Sequence, residues 1–297
     1  MSNHAIVKTN LKNIKKINSG KVRDMYDLGE NLLIVTTDRI SAFDVIMPNG
    51  VPDKGRILTK ISVFWFDLLK DVCENHLIST NVKDIKGLTP EEEVMLKDRI
   101  MIVKKAKVFP VECVVRGFIV GSGWKDYQKT GAICGHNLPK GLRLCEKLPK
   151  TIFTPSTKAE AGHDENISID KAGEIIGKEN IHKLEKLTID IYNKAADHAK
   201  LKGIIIADTK YEFGLYNDKI IIVDEVLSPD SSRFWPADQY KVGENQNSFD
   251  KQYLRDYLET CHWDKTPPAP LLPEEVIMKT REKYLQAYEL LTGKKFL

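Results

Sequence analysis

Charged side chains alternate along a segment that is typical of one strand of a hairpin. Asp208, Lys210 and Glu212 are separated by single residues, so they share one face of that strand. The isoleucine-rich runs of both strands indicate an interior pair, and buried carboxylates need a cation such as Mg²⁺, which takes oxygen ligands. An odd loop length places Glu212 opposite Asp224, whereas an even one places it opposite Val223. We interpret the hairpin as a metal and anion site rather than as a strand with a solvated charged face.

A turn of small residues followed by basic ones, at 18–26, could wrap a polyphosphate. Gly20 allows close approach of the backbone, and Lys21 and Arg23 supply positive charge. The turn lacks the Walker pattern and the full G-x-G-x-x-G pattern. A basic surface turn therefore stays open as the alternative.

Two arginines lie where an anion could bind. Arg116 stands alone in an apolar segment and needs a partner, and a helix that begins at Ser122 would offer its N–H groups to an anion. Arg233 follows two serines, and a guanidinium binds phosphate or carboxylate groups through two hydrogen bonds. An ion pair between Arg233 and Asp230 is an equally good interpretation of the spacing.

Hydrophobic spacing and turn residues predict the elements that position these groups. The predicted helices are 56–72, one opened by a capping box at Thr89-Pro90-Glu91-Glu92, one from Ser122 to Gly131, and 168–177, 181–202, 249–260 and 273–292. The predicted strands are 32–38, 100–108, 111–120, 204–213 and 219–226. Pro110 is the predicted domain boundary, and 131–165 is predicted to be a long irregular stretch.

Composition excludes several classes of protein. The 297 residues include 45 lysines and arginines against 42 aspartates and glutamates, a formal charge of +3, which does not fit a protein that binds nucleic acid through bulk charge. Five scattered cysteines without a C-x-x-C pair favour reduced thiols over a disulfide framework or zinc site. No apolar stretch is long enough for a membrane helix. We therefore expect a cytoplasmic protein that binds neither nucleic acid nor membrane.

Six motifs in a fixed order resemble one family. They are SGKVRDMY, TDRISAFD, VVRG with GSGW, TPSTKAEAGHDENIS, ADTKYEFG and VDEVLSPDSSRFW. Together they resemble the phosphoribosylaminoimidazole-succinocarboxamide synthase (SAICAR synthetase) family of purine biosynthesis, from about Asn18 to Pro236. The C-terminal helices resemble the longer fungal-type form, and residues 134–150 exceed the compact bacterial form without an assigned role.

The resemblance implies a ligase. ATP would activate the carboxylate of carboxyaminoimidazole ribonucleotide (CAIR), and the amine of L-aspartate would then form the amide of SAICAR, with ADP and phosphate as products. An acyl phosphate is the implied intermediate. The implied fold is α+β, with an antiparallel-sheet ATP-binding domain at 1–110, a mixed α/β domain for substrate and metal at 111–297, and a kinase-like or ATP-grasp-like cleft. The sequence does not fix the oligomeric state, for which a monomer is favoured over a homodimer.

The resemblance also implies roles for individual residues. The implied ATP-binding residues are Ser19, Gly20, Lys21, Val22, Arg23, Lys105, Ala106, Val108 and Glu112, with the strand 105–108 acting as a hinge for adenine. The implied substrate-binding residues are Ser41, Arg116, Ser122, Lys158, Asp164, Asn166, Ser232 and Arg233. Catalytic roles fall to Lys210, Asp38 and Arg233, and the Mg²⁺ ligands are Glu212 and Asp224.

Two other functions remain as alternatives. A kinase would also use a lysine, a hinge and carboxylates for Mg²⁺, but the H-R-D-x-x-x-x-N and D-F-G motifs are absent from the sequence. A nucleotide-binding or RNA-binding protein without catalytic activity would need a basic stripe with interleaved aromatic residues, which the charge of +3 and the scattered aromatic residues do not favour.

Overall fold

The structure is a computed structural model that describes residues 4–158 and 165–296. Its strands are β1 Lys16–Ser19, β2 Arg23–Leu28, β3 Asn31–Thr36, β4 Ser41–Ala42, β5 Val45–Ile46, β6 Leu77–Ser79, β7 Ile100–Lys104, β8 Lys107–Val108, β9 Val111–Phe118, β10 Ala132–Ile133, β11 His136–Asn137, β12 Lys147–Phe153, β13 Ser156–Thr157, β14 Ile204–Tyr216, β15 Lys219–Val223 and β16 Ser232–Pro236. Its α-helices are α1 Lys54–Leu68, α2 Pro90–Leu96, α3 Gly121–Thr130, α4 Ile169–Ile176, α5 Lys178–Leu201, α6 Gln252–Thr260 and α7 Glu274–Thr292, and Val82–Asp84 is a 3₁₀ turn.

The chain folds into two compact units. The first holds the residues up to Phe64, His76–Lys105 and the residues from Phe249 onward, and the second holds Trp65–Asn75 and Ala106–Ser248. The chain therefore passes between the units at Lys105, five residues before the predicted boundary at Pro110. A local signal such as proline marks a break in a strand, but it carries no information about which elements pack together.

The first unit contains an antiparallel sheet in the order β1-β2-β3-β7-β6. Its buried face packs around Tyr26, Leu33 and Ile100, none of which is exposed to solvent. The predicted capping box at Thr89 is confirmed: its side chain accepts from the Glu92 N–H, and the Glu92 side chain accepts from the Thr89 N–H. The sheet holds both ends of the glycine turn described below.

The C-terminal helices α6 and α7 belong to the first unit. Leu254 and Leu258 of α6 and Val276 of α7 share a buried cluster with Ile40 and Met47. The predicted division, which put these helices in the second domain at 111–297, is therefore wrong on this point. Such long-range packing leaves no signature in the local pattern of either helix.

The second unit is built on a seven-stranded antiparallel sheet. Its central path is β12-β9-β14-β15, with β13 also paired to β9 and with β8 and β16 also paired to β14. Helix α5 packs on β14 and β9 through a stripe of buried side chains that includes Ile181, Leu184 and Ile191. Strand β14 is central, and strands pair with it along both of its edges, which fixes the positions of its side chains.

The segment 131–165 is more ordered than the sequence suggested. Over its described part, it forms the small β10–β11 hairpin and the strands β12 and β13. Leu138 and Leu142 of the unassigned insertion pack against the cluster of Ile119, Ile133 and Leu148. The insertion therefore extends the core beside α3. The many glycines and lysines of this segment made its short alternation of apolar and polar residues hard to recognise in the sequence.

Candidate functional site

The hairpin of β14 and β15 carries the two candidate metal ligands. Its turn contains two residues, Asn217 and Asp218, both with positive φ, which is the geometry of a type I′ turn. Glu212 therefore lies opposite Val223, as the even loop length predicts, and not opposite Asp224. Asp224 follows the end of β15 with a φ of 62°.

Glu212 and Asp224 still interact electrostatically. Burial raises the pKa of Glu212 above its usual value, and the negative charge of Asp224 raises it further. Lys158 and Lys210 act in the opposite direction by stabilising the charged form. The site thus places two carboxylates near each other in a partly desolvated setting, where a bound cation would be favourable.

Two lysines lie in ion pairs at this site. Lys158 Nζ lies 2.5 Å from Glu212 Oε2, and Lys210 Nζ lies 2.5 Å from Glu112 Oε1. The side chains of Lys158 and Lys210 remain about 40% exposed, whereas that of Glu112 is 6% exposed. Both lysine side chains therefore reach solvent, while the glutamate of each pair lies on a strand of the sheet. Glu112, predicted to bind ATP, is seen here as the partner of Lys210.

A second cluster is centred on Asp208. Its Oδ2 accepts from Arg116 Nη1 at 2.9 Å and from Arg233 Nη1 at 2.5 Å. Arg116 also donates to the hydroxyls of Ser122 at 2.9 Å and of Thr154 at 3.0 Å. Burial lowers the pKa of Arg116, and the Asp208 charge opposes that shift. Two guanidinium groups share one carboxylate, so the cluster has a net positive charge.

Helix α3 begins at this cluster. The helix runs from Gly121 to Thr130, within one residue of the predicted ends at Ser122 and Gly131, and its N-cap is Val120, so Ser122 lies in the first turn. Gly121 has a φ of 62°, and a Cβ there would lie 2.3 Å from Arg233 Nη2. The positive φ favours glycine here, and any larger residue would displace the Arg233 guanidinium from its present position.

The remaining predicted substrate residues of the second unit occupy separate positions. Ser232 is buried and donates to the Thr209 hydroxyl at 2.8 Å. Asn166 donates to Asp126 of α3 at 2.7 Å, which ties the loop before α4 to that helix. Asp164 lies outside the described residues.

In the first unit, residues 20–22 form the glycine turn between β1 and β2. The Gly20 N–H donates to the Arg23 carbonyl at 2.7 Å, and the Ser19 hydroxyl donates to Asp24 at 2.6 Å. Lys21 forms an exposed ion pair with Asp44. The protein atom nearest to a Cβ built on Gly20 is the Arg23 carbonyl oxygen at 3.6 Å, so contacts within the chain do not demand glycine here.

Asp38 and Ser41 are buried in the first unit. Asp38 is not exposed to solvent, and its carboxylate accepts from the N–H groups of Ile6 and Gly55 and from Arg99 Nη1, at 2.7, 2.8 and 2.9 Å. Both carboxylate oxygens of Asp38 therefore accept hydrogen bonds inside the fold, and its catalytic role stays a prediction. Ser41 belongs to the short hairpin of β4 and β5 and is 7% exposed.

The predicted hinge strand at 105–108 is interrupted. Lys105 follows β7, in the first unit, and pairs with Asp27 at 2.7 Å. Ala106 follows in the second unit, and β8, which includes Val108, pairs with Gly214 of β14. Only the second half of the predicted strand is a strand, because the chain changes units between Lys105 and Ala106.

Sequence reasoning missed three residues that organise these sites. Asp208 was seen in its motif but received no role, although an aspartate among apolar residues signals a buried partner for an arginine. Asp24 and Arg39, both within recognised motifs, are also buried and joined by an ion pair at 2.8 Å. Pairing between distant positions was the missing information.

No helix among residues 4–158 and 165–296 combines the length and apolar character needed to span a membrane. Within the same described ranges, no group of three or more histidine, cysteine, aspartate or glutamate side chains could hold a metal ion. A metal at this site would therefore rely on fewer protein ligands than a closed structural site does.

Comparisons with known proteins agree on one family. A family model described as SAICAR synthetase matches residues 16–270. The phosphoribosylaminoimidazole-succinocarboxamide synthase of Geobacter sulfurreducens is 60% identical over 290 residues, covering 97% of this chain and 98% of that protein. The corresponding synthase of Thermodesulfovibrio yellowstonii is 55% identical over 290 residues, covering 98% and 99%.

Solved structures give the same result. The SAICAR synthase of Saccharomyces cerevisiae, in complex with SAICAR, has a TM-score of 0.89 and 45% identity, covering 98% of this chain and 99% of that one. A SAICAR synthetase in complex with ADP has a TM-score of 0.68 and 27% identity, covering 94% and 98%. The α+β fold expected from the sequence is confirmed. The chain belongs to the SAICAR synthetase family and is an ATP-dependent ligase that joins L-aspartate to CAIR in purine biosynthesis.

Proposed function

We propose that the ligation proceeds through an acyl phosphate, with the two charged clusters of the second unit binding the anionic reactants. A CAIR carboxylate oxygen attacks the γ-phosphorus of ATP, and the bond to the bridging oxygen of ADP breaks. The aspartate amine then attacks the acyl carbon, phosphate leaves with the electron pair of the acyl C–O bond, and the amine loses a proton. Phosphoryl transfer of this kind depends on positioning and on charge stabilisation rather than on a protein nucleophile.

The proposed site for the CAIR phosphate is the cluster of Arg116, Arg233 and Ser122. Asp208 takes one N–H from each guanidinium, and each guanidinium has five N–H donors in a fixed planar arrangement. The Arg233 side chain is 26% exposed, so it reaches solvent, whereas Arg116 is buried behind it. The N–H groups at the start of α3 add further positive potential. This arrangement is the observation that carries the proposal.

The proposed Mg²⁺ ligands are Glu212 and Asp224. The pKa of Glu212 is raised by burial and by Asp224, so a divalent cation would relieve an existing repulsion. Mg²⁺ commonly binds through one or two carboxylates together with substrate phosphates and water, which suits a site of two carboxylates. When bound, Mg²⁺ would supply neutralisation of the transferred phosphoryl charge.

The proposed ATP site includes the glycine turn with Ser19 and Arg23. A Cβ at Gly20 would meet no protein atom closer than 3.6 Å, so the glycine leaves room for a phosphate. The backbone of Ala106 and Val108 is proposed to contact adenine, and Lys105 to lie beside it. These assignments extend to this chain what the ADP-bound relative binds.

Lys210 and Lys158 are proposed to hold carboxylate or phosphate oxygens during turnover. The side chain of each lysine is about 40% exposed and forms an ion pair with a glutamate, so an incoming anion can bind the ammonium from the solvent side. Asn166, Ser232 and Asp164 are proposed to help bind substrate, Asn166 and Asp164 on the aspartate side. We further propose a monomeric, cytoplasmic enzyme with no nucleic-acid or membrane partner.

The direct test is ADP release by the purified protein. We expect ADP and phosphate to form only when CAIR and L-aspartate are both present with Mg²⁺-ATP, in a one-to-one ratio with SAICAR. A kinase would release ADP with an unrelated hydroxyl acceptor, and that result would overturn the proposed mechanism. Transfer of ¹⁸O from labelled CAIR carboxylate into phosphate tests the acyl phosphate, because the attacking oxygen leaves with the phosphoryl group.

A further inference from the structure

All three carbonyls of the glycine turn accept hydrogen bonds from one neighbouring segment. The Gly20 carbonyl accepts from Arg39 Nη2 at 3.0 Å, and the Lys21 carbonyl accepts from Arg39 Nε at 3.2 Å. The Val22 carbonyl accepts from the N–H of Thr37 at 2.9 Å and from its hydroxyl at 2.7 Å. The turn is therefore fixed through its carbonyl oxygens, by the Arg39 side chain and by the N–H and hydroxyl of Thr37.

This pattern dictates where the turn presents its N–H groups. In a trans peptide unit, the carbonyl of one residue and the N–H of the next point in opposite directions. Since the carbonyls of Gly20 and Lys21 point to Arg39, the N–H groups of Lys21 and Val22 point away from it. Successive N–H groups that point outward from a turn form a binding site for anions.

Arg39 is held in place by groups that do not belong to the turn. Its Nη1 donates to the Val7 carbonyl at 2.8 Å, and its Nη2 donates to Asp24 Oδ1 at 2.8 Å. Asp24 is not exposed to solvent and also accepts from the hydroxyls of Ser19 at 2.6 Å and Thr9 at 2.5 Å. Moving Arg39 away would leave the buried carboxylate with the more distant Lys16 Nζ, at 3.3 Å, as its cation, which is unfavourable.

We propose that Arg39, anchored by Asp24, is a positioning residue that binds the carbonyls of the glycine turn and thereby keeps the Lys21 and Val22 N–H groups directed at the phosphates of ATP. This inference rests on the proposed ATP site. Arg39 does not touch the nucleotide in this account; it acts through the backbone. A lysine cannot take its place, because a single ammonium cannot reach the four acceptors that the planar guanidinium contacts.

The experiment compares the binding of ATP with that of adenosine, by titration calorimetry on Arg39→Lys. Adenosine lacks phosphates, so a loss confined to ATP locates the defect at the phosphate contacts. We expect the ATP dissociation constant to rise roughly tenfold, which is the effect of losing hydrogen bonds that involve a charged group. The dissociation constant of adenosine and the KM values for CAIR and aspartate should change less than twofold. The matched control is Arg56→Lys, since Arg56 pairs with Asp53 and Asp98 in the same unit.

The outcomes separate this inference from the proposed ATP site. If Lys21→Pro, which removes the Lys21 N–H, leaves ATP affinity unchanged, the turn is not the phosphate site and the proposed ATP site is wrong. If Lys21→Pro weakens ATP binding but Arg39→Lys does not, or if Arg39→Lys weakens ATP and adenosine binding equally, the positioning role is refuted. Should Arg39→Lys fail to fold, Thr37→Val replaces it, because it removes the hydroxyl bond to the Val22 carbonyl and the long bond from the Arg39 N–H at 3.3 Å but leaves the Arg39 side chain in place. A smaller but ATP-selective loss is then expected, and an equal or absent effect refutes the role.

Discussion

Lys158 Nζ lies 2.5 Å from Glu212 Oε2, so a proposed Mg²⁺ ligand already has a lysine as its counter-ion. Without a metal, this pair offsets part of the repulsion between Glu212 and Asp224. Binding of Mg²⁺ would take over that role and release the lysine toward an anionic substrate. Lys158 would then act as a counter-ion of Glu212 before Mg²⁺ binds and as a ligand for the anionic substrate afterwards.

The first prediction follows from this competition. Lys158→Met should strengthen Mg²⁺ binding to the protein alone, because the competing ammonium is gone, while kcat falls roughly tenfold or more through loss of an anion contact. Calorimetric Mg²⁺ titration and steady-state kinetics measure the two effects. Weaker Mg²⁺ binding in Lys158→Met would contradict the competition. Lys219→Met, which breaks the exposed pair with Glu74 in the same unit, is the control.

The second prediction concerns Glu212 itself. Glu212→Gln should reduce kcat by about a hundredfold or more, as expected when charge stabilisation is lost at a phosphoryl transfer site. Tm should change by only a few degrees, because the variant also removes the repulsion with Asp224. Kinetics and thermal unfolding test this, with Glu74→Gln as the control. Turnover near that of the unmodified protein would rule out Glu212 as a metal ligand.

The third prediction concerns the arginine cluster. Arg233→Lys keeps the charge but loses the planar set of donors shared between Asp208 and the proposed CAIR phosphate. The KM for CAIR should rise roughly tenfold, about 1.4 kcal/mol, while the KM for ATP stays within twofold. Arg143→Lys, in an exposed pair with Glu146, should change neither constant. An Arg233→Lys enzyme with unchanged affinity for CAIR is incompatible with the assigned phosphate site.

The fourth prediction is a dependence of stability on pH. Burial alone would raise the pKa of Asp24, but hydrogen bonds from Ser19, Thr9 and Arg39 lower it from 3.8 to about 2. A lowered folded-state pKa stabilises the fold above the unfolded-state pKa, and that contribution disappears as the pH falls from about 4 to 2. It amounts to about 2 kcal/mol.

Urea unfolding at pH 7, 4, 3 and 2 measures this contribution. Asp24→Asn should be less stable at pH 7 and should lose less stability than the unmodified protein between about pH 4 and 2. Asp67→Asn, at an exposed ion pair with Lys70, is the control and should follow the unmodified protein. Parallel curves for Asp24→Asn and the unmodified protein would show that Asp24 is not the titrating group.

The sequence was informative wherever the signal was local. The capping box at Thr89 and the end of α3 before Gly131 could be read from single residue types, because backbone geometry selects them. The hairpin pairing of Glu212 with Val223 depended on a loop length of two, which the sequence left open between two values. A difference of one residue in the loop length decides whether Glu212 lies opposite Val223 or opposite Asp224.

The sequence was uninformative where distant segments meet. The sequence did not show that the Asp38 carboxylate accepts hydrogen bonds from Arg99 and from two backbone N–H groups inside the fold. Asp208 looked like one member of a charged face, yet it joins Arg116 to Arg233 across neighbouring strands. Buried partners decide such roles, and their positions are set by tertiary packing that one sequence does not display.

The most direct test of the proposed metal and phosphate sites is a crystal structure of the protein with ADP, CAIR and Mn²⁺ in place of Mg²⁺. We expect an anomalous Mn²⁺ peak within roughly 2.0–2.3 Å of carboxylate oxygens of Glu212 and Asp224, and the CAIR phosphate on Arg116 and Arg233. A metal held by other side chains, or a CAIR phosphate bound away from both arginines, would contradict it.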